Sequence, residues 1–170
     1  IDAHLAHLKN IEVIFSTWGM FTLTETQLDK LPNLKVIFYA AGATEYFSTP
    51  LLARGIKVVS AWQANAIPVA EFCLAQILLG CKGYFRNQRE YTGPEFFSAL
   101  ANNHTAPGNY QERVALIGAG AISQTLQRLL QPFYLEVLMI PSRPEKRVCS
   151  LEQAFSSAMV ISNHLPNRED

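Results

Sequence analysis

The chain has no excess of charge of either sign and few charged residues in total. Acidic and basic residues number 14 each and together make up 16% of the 170 residues, against 49% hydrophobic residues. Domains that bind nucleic acid or anionic membranes normally carry a basic excess, so neither class of protein is indicated. The longest apolar run, from Phe72 to Cys81, is too short to span a bilayer. These features are typical of a globular protein with a large apolar core.

Cysteine is also scarce, and the three residues present, Cys73, Cys81 and Cys149, are odd in number. They lie in apolar or helical surroundings, which favours reduced thiols in a cytoplasmic protein over a disulfide framework. No spacing of cysteines is typical of a metal site, and His4 and His7 make at most one shared helix face. We therefore expect a cytoplasmic protein that binds no metal.

The chain is rich in short apolar runs that alternate with amphipathic segments. The apolar runs predict strands at residues 11–16, 34–39, 56–60, 113–117, 135–140 and 159–162. Helices are predicted at residues 1–8 and 24–31, from Thr49-Pro50 to Gly55, from Ala64 to about Tyr91, after Gly120, and at 151–156. Strands that alternate with helices in this way form parallel sheets covered on both faces, so the predicted fold class is α/β.

The segment from Arg113 to Ser123 predicts a buried strand, a tight turn and the start of a helix. In a dinucleotide-binding unit, Gly118 allows the turn and Gly120 lets the backbone approach a pyrophosphate, whose charge the free N–H groups of the helix hold. Ser123 stands where the usual motif has a third glycine, a position that needs a small side chain. An ordinary strand-to-helix turn stays open as the alternative for this segment.

A second loop of small residues, Ala41-Gly42-Ala43, follows the predicted strand at 34–39. Ligands of open parallel sheets bind beyond the carboxyl ends of the strands, which makes this loop a candidate site. The alternative is that these residues only form a turn.

Five segments resemble, in the same order and at similar spacing, those of the D-isomer-specific 2-hydroxyacid dehydrogenases. They are Ala41-Gly42, Gly55-Ile56-Lys57-Val58, Asn65-Ala-Ile-Pro-Val-Ala-Glu71, Val114 to Ser123, and His164-Leu165-Pro166. The resemblance covers nearly the whole chain. The Asn65–Glu71 segment, which leads into a long apolar helix, is more specific than the glycine turn.

The resemblance implies two incomplete domains. Residues 1–66 would be part of a flavodoxin-like substrate domain, and residues 67–170 would contain a linker and dimer helix and the first part of a Rossmann domain. The implied activity is hydride transfer between a nicotinamide cofactor and a small 2-keto or 2-hydroxy acid. The helix from about Pro68 would link the domains and help to form a homodimer.

The resemblance also assigns binding roles to residues of both domains. The N–H groups of Ala41, Gly42 and Ala43 would bind the substrate carboxylate. The residues implied at the cofactor are Gly118, Ala119, Gly120, Ala121 and Ile122 at the pyrophosphate, and His164, Leu165 and Pro166 along the nucleotide. His164 is then a loop residue at a strand end and not the catalytic acid of the family.

The catalytic residues of the family come later in its sequences than the segment matching His164–Pro166. They are an arginine that clamps the keto acid, a glutamate, and a histidine that donates the proton. We therefore assign no catalytic residue in this chain and expect it to be a portion of a longer protein.

The predicted strand at 135–140 bears on the choice between NAD and NADP. A carboxylate at the end of this strand, roughly 20 residues after the glycines, binds the ribose hydroxyls of NAD, but Glu136 is at the other end of the strand. Ser142 and Arg143 stand where a 2′-phosphate would lie, and Lys146 and Arg147 add positive charge. We expect NADP to be preferred to NAD, with a solvated basic loop as the alternative.

Two further alternatives stay open. The C-terminal-binding proteins, a family of transcriptional corepressors, are similar over the same segments, so a regulator that binds a dinucleotide without turnover is the second candidate function. In the loop after the first predicted strand, we favour a packed Trp18 over a tryptophan that shapes the substrate pocket.

Overall fold

Two separate three-stranded parallel sheets organise the chain. The structure is a computed structural model, and it describes residues 4–90 and 106–166. The chain divides into a first unit, Ile1–Asn65, and a second unit, Ala66–Asp170. Each unit contains one of the sheets, which confirms the predicted α/β class with parallel strands.

The first unit is built from three strands and three short helices. The strands are β1 (Val13–Ser16), β2 (Val36–Tyr39) and β3 (Lys57–Ser60), in the order β1-β2-β3. The helices are α1 (Leu5–Leu8), α2 (Glu25–Leu28) and α3 (Glu45–Ala53). Thr24 begins α2 with a capping box, in which its side chain accepts from the backbone N–H of Gln27. The first residues of the predicted helix at 1–8 lie outside the described residues.

The two faces of this first sheet differ. Ile14, Ile37 and Val58 lie side by side in register and pack into a core with residues of α2 and α3. On the other face Phe15 and Phe38 are paired in register, and their rings stack 5.2 Å apart. Phe15 is 79% exposed. Because side chains alternate across a strand, one face of the sheet carries the core and the other faces solvent.

Helix α3 does not begin at Thr49-Pro50, as predicted, but at Glu45, so Pro50 lies inside it. A proline within a helix leaves the carbonyl four residues earlier without its N–H donor. Here that carbonyl belongs to Tyr46, and the Thr22 hydroxyl donates to it over 2.9 Å. The missing bond is thus replaced from a distant loop. Gly55 follows the helix with φ +74°.

In the second unit, the described residues form the other three strands and four α-helices. The strands are β4 (Arg113–Ile117), β5 (Glu136–Ile140) and β6 (Val160–Asn163), all parallel in the order β5-β4-β6. The helices are α4 (Trp62–Cys81), which begins in the first unit, α5 (Tyr84–Glu90), α6 (Ala121–Leu130) and α7 (Leu151–Ser157). The helix predicted to reach Tyr91 is therefore interrupted after Cys81, and Tyr91 lies outside the described residues.

Strand β4 is central and is buried on both faces. Val114 and Leu116 pack against α4 and α6, whereas Ala115 and Ile117 pack against Ala154 of α7. A strand covered by helices on both sides has no polar face, which explains the uninterrupted apolar run from Val114 to Ile117.

Helix α4 is apolar on nearly every face, but only one stripe of it is buried. Ala66, Ala70, Ile77 and Cys81 form that stripe, while Phe72 is 65% exposed. By its length and composition alone, α4 is long and apolar enough to cross a membrane. The core helices of soluble proteins meet the same two criteria. The exposed apolar side chains of α4, such as Ile67 and Phe72, form an apolar surface on this helix.

Candidate functional site

The carboxyl ends of β4, β5 and β6 surround a cavity of about 350 Å³. Three segments that are far apart in sequence line it, namely the turn after β4, the loop after β5 and the loop after β6. The lining residues are Gly118, Ala119, Gly120, Pro141, Ser142, Arg143, Lys146, His164, Leu165 and Pro166. The cavity therefore brings together eight of the ten residues predicted at the cofactor. The other two, Ala121 and Ile122, open α6 directly after Gly120.

A larger cavity, of about 460 Å³, lies beside the first residue of β4. Arg113, Val148, Cys149 and residues of α7 line it. It contains none of the residues predicted at a ligand. In open α/β sheets ligands bind at the carboxyl ends of strands, so position and chemistry favour the smaller cavity.

The turn after β4 requires glycine at its first position. Gly118 has φ +96°, which side-chain-bearing residues rarely adopt. A Cβ at this position would lie 3.2 Å from the carbonyl oxygen of His164. The Gly118 N–H donates to the Ile140 carbonyl over 2.7 Å, and the His164 N–H donates to the Ile117 carbonyl over 2.8 Å. The ends of all three strands are thus joined at this glycine.

Gly120 has a different role in the same turn. Its φ is −79°, an ordinary value, and nothing lies within 4 Å of the position of a Cβ. It is the N-cap of α6 without a capping side chain, and the N–H groups of Ala121 and Ile122 meet no acceptor in the described part of the chain. An open helix start with free N–H groups attracts an anion. This geometry fits a pyrophosphate.

Ser123, at the position of the third glycine, is fully buried in the first turn of α6. Its hydroxyl has no hydrogen-bond partner among the described residues. The position therefore accepts a small side chain, and the cost of the serine is an unpaired buried hydroxyl.

The side chain of His164 lines one side of the cavity. Its Nε2 lies 2.9 Å from the Ser162 hydroxyl, and burial lowers the pKa of the imidazole. The Asn163 side chain accepts from the Leu165 N–H over 3.1 Å and holds the next residue. The loop after β6 is therefore shaped by its own polar side chains.

The loop after β5 carries the positive charge of the cavity. Arg143 and Lys146 line it, and neither forms an ion pair with any residue that the structure describes. Arg147 does not line the cavity itself, and its guanidinium donates to the carbonyls of two residues that do, Pro141 and Ser142, over 2.9 and 2.8 Å. Glu136, at the first residue of β5, lies at the opposite end and pairs with Arg113 over 2.6 Å. No carboxylate is among the residues that line the cavity.

In the first unit, Ala41, Gly42 and Ala43 follow β2 after one intervening residue, Ala40, and Ala41 is fully buried. Their N–H groups meet no acceptor within residues 4–90 and 106–166. A Cβ on Gly42 would lie 2.9 Å from the Asn65 amide nitrogen, a contact that the sequence did not predict. Backbone donors left free in a loop can bind a carboxylate.

Trp18 is 72% exposed, so the favoured prediction of a packed tryptophan is wrong. It lies in the loop after β1, next to Thr17, whose hydroxyl donates to the Ala40 carbonyl over 3.4 Å. That bond holds the loop beside the Ala41–Ala43 segment and leaves the indole in solvent.

A family model places this site among known proteins. The model of the D-isomer-specific 2-hydroxyacid dehydrogenase NAD-binding domain matches residues 74–170, more than half of the chain. The chain belongs to the D-isomer-specific 2-hydroxyacid dehydrogenase family. The matched range contains all of the residues that line the cavity at the ends of β4, β5 and β6. The predicted family is thereby confirmed, and two of the five segments that indicated it, Val114 to Ser123 and His164 to Pro166, lie within the matched range.

Individual members of this dehydrogenase family are distant in sequence and similar in fold. The chain is 26% identical over 151 residues to D-3-phosphoglycerate dehydrogenase of Haemophilus influenzae, a match to 85% of this chain and 36% of the relative. Rhodotorula graminis D-mandelate dehydrogenase has a TM-score of 0.78 at 18% identity, over 99% of this chain and 56% of that one. The NAD-dependent formate dehydrogenase of Staphylococcus aureus, in complex with NAD, has a TM-score of 0.71 at 22% identity, over 97% of this chain and 52% of that one. The chain thus spans about a third to a half of the length of these dehydrogenases.

Metal binding finds no support in the described part of the chain, where no three histidine, cysteine or acidic residues are placed to hold an ion.

Proposed function

We propose that this chain is part of an NAD(P)-dependent oxidoreductase that acts on the CH–OH group of a D-2-hydroxy acid, in reverse reducing a 2-keto acid. The observation that carries the proposal is the cavity at the ends of β4, β5 and β6. It combines an open helix start with unpaired cations and lies within the range that matches the NAD-binding family model. A dinucleotide has the two phosphates and the ring surfaces that such a cavity binds.

The residues of the second unit would bind and orient the cofactor. The N–H groups of Gly120, Ala121 and Ile122 would hold the pyrophosphate, and Gly118 would keep the turn clear of side chains. His164 to Pro166 would exclude water along one side. When bound, the nicotinamide supplies or accepts the hydride.

The first unit would bind the acid. The free N–H groups of Gly42 and Ala43 would donate to its carboxylate, a contact that any 2-keto acid can make, whereas Ala41 is fully buried in the core of the first unit. Trp18, exposed beside this loop, would contact the side chain of the acid. We assign no catalytic residue in this chain.

The loop after β5 favours NADP over NAD. Arg143 offers the planar fork of donors that phosphate binds, Lys146 adds charge beside it, and no carboxylate is present to receive the ribose hydroxyls of NAD. We expect the full-length protein to bind NADPH more tightly than NADH, and Arg143→Asp to reverse that order. NADH bound more tightly by the wild type would contradict the preference.

Turnover tests the oxidoreductase itself. The full-length protein, incubated with NADP or NAD and a set of D- and L-2-hydroxy acids, should form reduced cofactor with D-acids only. Failure to oxidise any acid, with nucleotide binding intact, would favour the regulatory alternative.

The same proposal includes a homodimer in the cytoplasm, without nucleic acid or membrane as a partner. The exposed apolar residues of α4, among them Ile67 and Phe72, would pack against a second copy of the chain. Sedimentation of the wild type as a dimer and of Phe72→Glu as a monomer would support it.

A further inference from the structure

The loop from Pro141 to Arg147 is closed on itself by four hydrogen bonds. The Nε and Nη2 of Arg147 donate to the carbonyls of Pro141 and Ser142. The backbone N–H groups of Lys146 and Arg147 donate to the carbonyls of Arg143 and Pro144, each over 3.1 Å. Half of this network comes from one side chain, because the planar fork of arginine can bind two neighbouring acceptors at once.

The two carbonyls that Arg147 binds belong to the segment that lines the cavity. Carbonyl oxygens carry partial negative charge, and turned toward the cavity they would repel a phosphate. Arg147 itself is not among the lining residues. Its two hydrogen bonds offset part of the negative charge on both oxygens, and the side chain that makes them does not line the cavity.

The charge of Arg147 is not cancelled by these hydrogen bonds. Both acceptors are neutral carbonyls, and no carboxylate lies within 4 Å of the guanidinium among residues 4–90 and 106–166. The loop from Pro141 to Arg147 therefore contains three cations, Arg143, Lys146 and Arg147, and one carboxylate, Glu145. This excess of positive charge becomes favourable when an anion binds, and hydrogen bonds that fix the backbone of the loop beforehand reduce the cost of ordering it on binding.

We propose that Arg147 is a positioning residue that prepares this loop for the 2′-phosphate of NADP. It contacts no cofactor and acts by fixing the backbone of Pro141 and Ser142, so that Ser142 and Arg143 face the phosphate. This inference rests on the proposed preference for NADP. The sequence indicated only that Arg147 adds positive charge to this loop, whereas the role proposed here is to fix the backbone of the loop.

Two nucleotide fragments separate this role from general structural support. 2′,5′-ADP carries the 2′-phosphate and 5′-AMP lacks it, and titration calorimetry of the full-length protein measures both without turnover. Arg147→Lys keeps the charge but loses the two-donor fork. We expect it to weaken 2′,5′-ADP binding at least about tenfold, equal to about 1.4 kcal/mol, and to change 5′-AMP binding by less than about twofold.

Arg128→Lys is the matched control, because Arg128 lies on α6 and its guanidinium donates to the Thr125 hydroxyl, away from the cavity. It should leave both affinities unchanged. Arg147→Gln removes the charge as well as the fork, so any loss of 2′,5′-ADP binding beyond that of Arg147→Lys measures the contribution of the charge.

Each outcome decides the proposal. Selective loss of 2′,5′-ADP binding supports it. An Arg147 variant with the wild-type ratio of affinities, or with both affinities lowered equally, overturns the positioning role and leaves the NADP preference standing. A wild type that binds the two fragments equally overturns both the preference and the role of Arg147, whereas the oxidoreductase activity is judged separately by turnover.

Discussion

Each unit places a bend of small residues directly after a parallel strand, but the two bends are held in different ways. At Gly118 the neighbour is the backbone of His164, and φ is positive. At Gly42 the neighbour is the end of the Asn65 side chain, and φ is not in the left-handed region. A backbone neighbour cannot move without disturbing a strand, whereas a side chain can rotate. The turn of the second unit is therefore rigid, and the loop of the first unit is adaptable.

This difference agrees with what the two bends are proposed to bind. A dinucleotide presents a constant diphosphate, for which a fixed turn is suitable. The acids that a dehydrogenase family accepts differ in their side chains, and a loop bounded by a side chain can change with them. Substitution of each glycine by the same residue tests the comparison directly.

The largest effect is expected from Gly118→Ala. The left-handed conformation and the contact with the His164 carbonyl should together lower the free energy of unfolding by about 2–3 kcal/mol. Denaturant unfolding of the full-length protein measures it. A loss below about 0.5 kcal/mol would show that this turn is as adaptable as the other.

Gly120→Ala, two residues away, is the matched variant. Because the space around its Cβ is open, the free energy of unfolding should stay within about 0.5 kcal/mol of the wild type. The added methyl group should nevertheless weaken NADPH binding about tenfold, since it occupies the approach of the pyrophosphate. Unchanged binding would contradict the proposed cofactor position.

A smaller effect is expected from Gly42→Ala. Its Cβ would require the Asn65 amide to shift, at a cost of about 1 kcal/mol in the free energy of unfolding. If Asn65 is the obstacle, Asn65→Ala should remove most of that cost, and a double-mutant cycle should give a coupling of about 1 kcal/mol. Additive effects would show that the backbone and not the side chain bounds this bend.

Ser123→Ala should stabilise the second unit. It removes a buried hydroxyl that has no partner among the described residues, so the free energy of unfolding should rise by about 1 kcal/mol. Ser157→Ala in α7 is the control, because its hydroxyl donates to the Gln153 carbonyl over 2.7 Å, and it should not be stabilised. A destabilised Ser123→Ala would show that its hydroxyl is paired.

The smallest effect concerns His164 and pH. Its pKa in the folded protein is below the ordinary value of 6.5, so the unfolded chain takes up the proton first as the pH falls. The free energy of unfolding should therefore be constant above about pH 6.5 and decrease below it, and His164→Gln should reduce that decrease between pH 7 and 5. An unchanged slope in the variant would exclude His164 as its source.

Local sequence patterns predicted the secondary structure correctly at segments where burial alone determines which residues are apolar. The run from Val114 to Ile117 predicted a buried strand because a strand covered on both faces needs no polar residue. Strand starts were less predictable. The apolar residues Ile11 and Leu34 extend the pattern, but pairing begins only at Val13 and Val36.

The start of α3 was predicted wrongly for a tertiary reason. Pro50 indicates a helix start in any local pattern, and only the hydrogen bond from Thr22 to the Tyr46 carbonyl lets the helix run through it. The exposed Trp18 was missed similarly, since large aromatic residues are usually buried and no local signal shows what packs around them.

The candidate site was predictable as a set of segments but not as an arrangement. Glycine spacing indicated Gly118, position after a strand indicated Ser142, and the family resemblance implied His164, and the structure brings these three residues to one cavity. The contact of Gly42 with Asn65 and the bonds from Arg147 depend on how side chains fold back, which spacing does not specify. The binding roles of these residues stay predictions.

The two bonds that join the strand ends at Gly118 have a consequence for biosynthesis. Strand β4 leaves the ribosome first, yet the acceptor of the Gly118 N–H is on β5 and the residue that packs over this glycine follows β6. A nascent chain that has emerged only as far as α7 can form the bond from Gly118 to Ile140 but lacks the contact with His164. If this turn binds nucleotide as proposed, the site is complete only after translation of β6 and the loop that follows it, so nucleotide would not assist the earlier steps of folding on the ribosome.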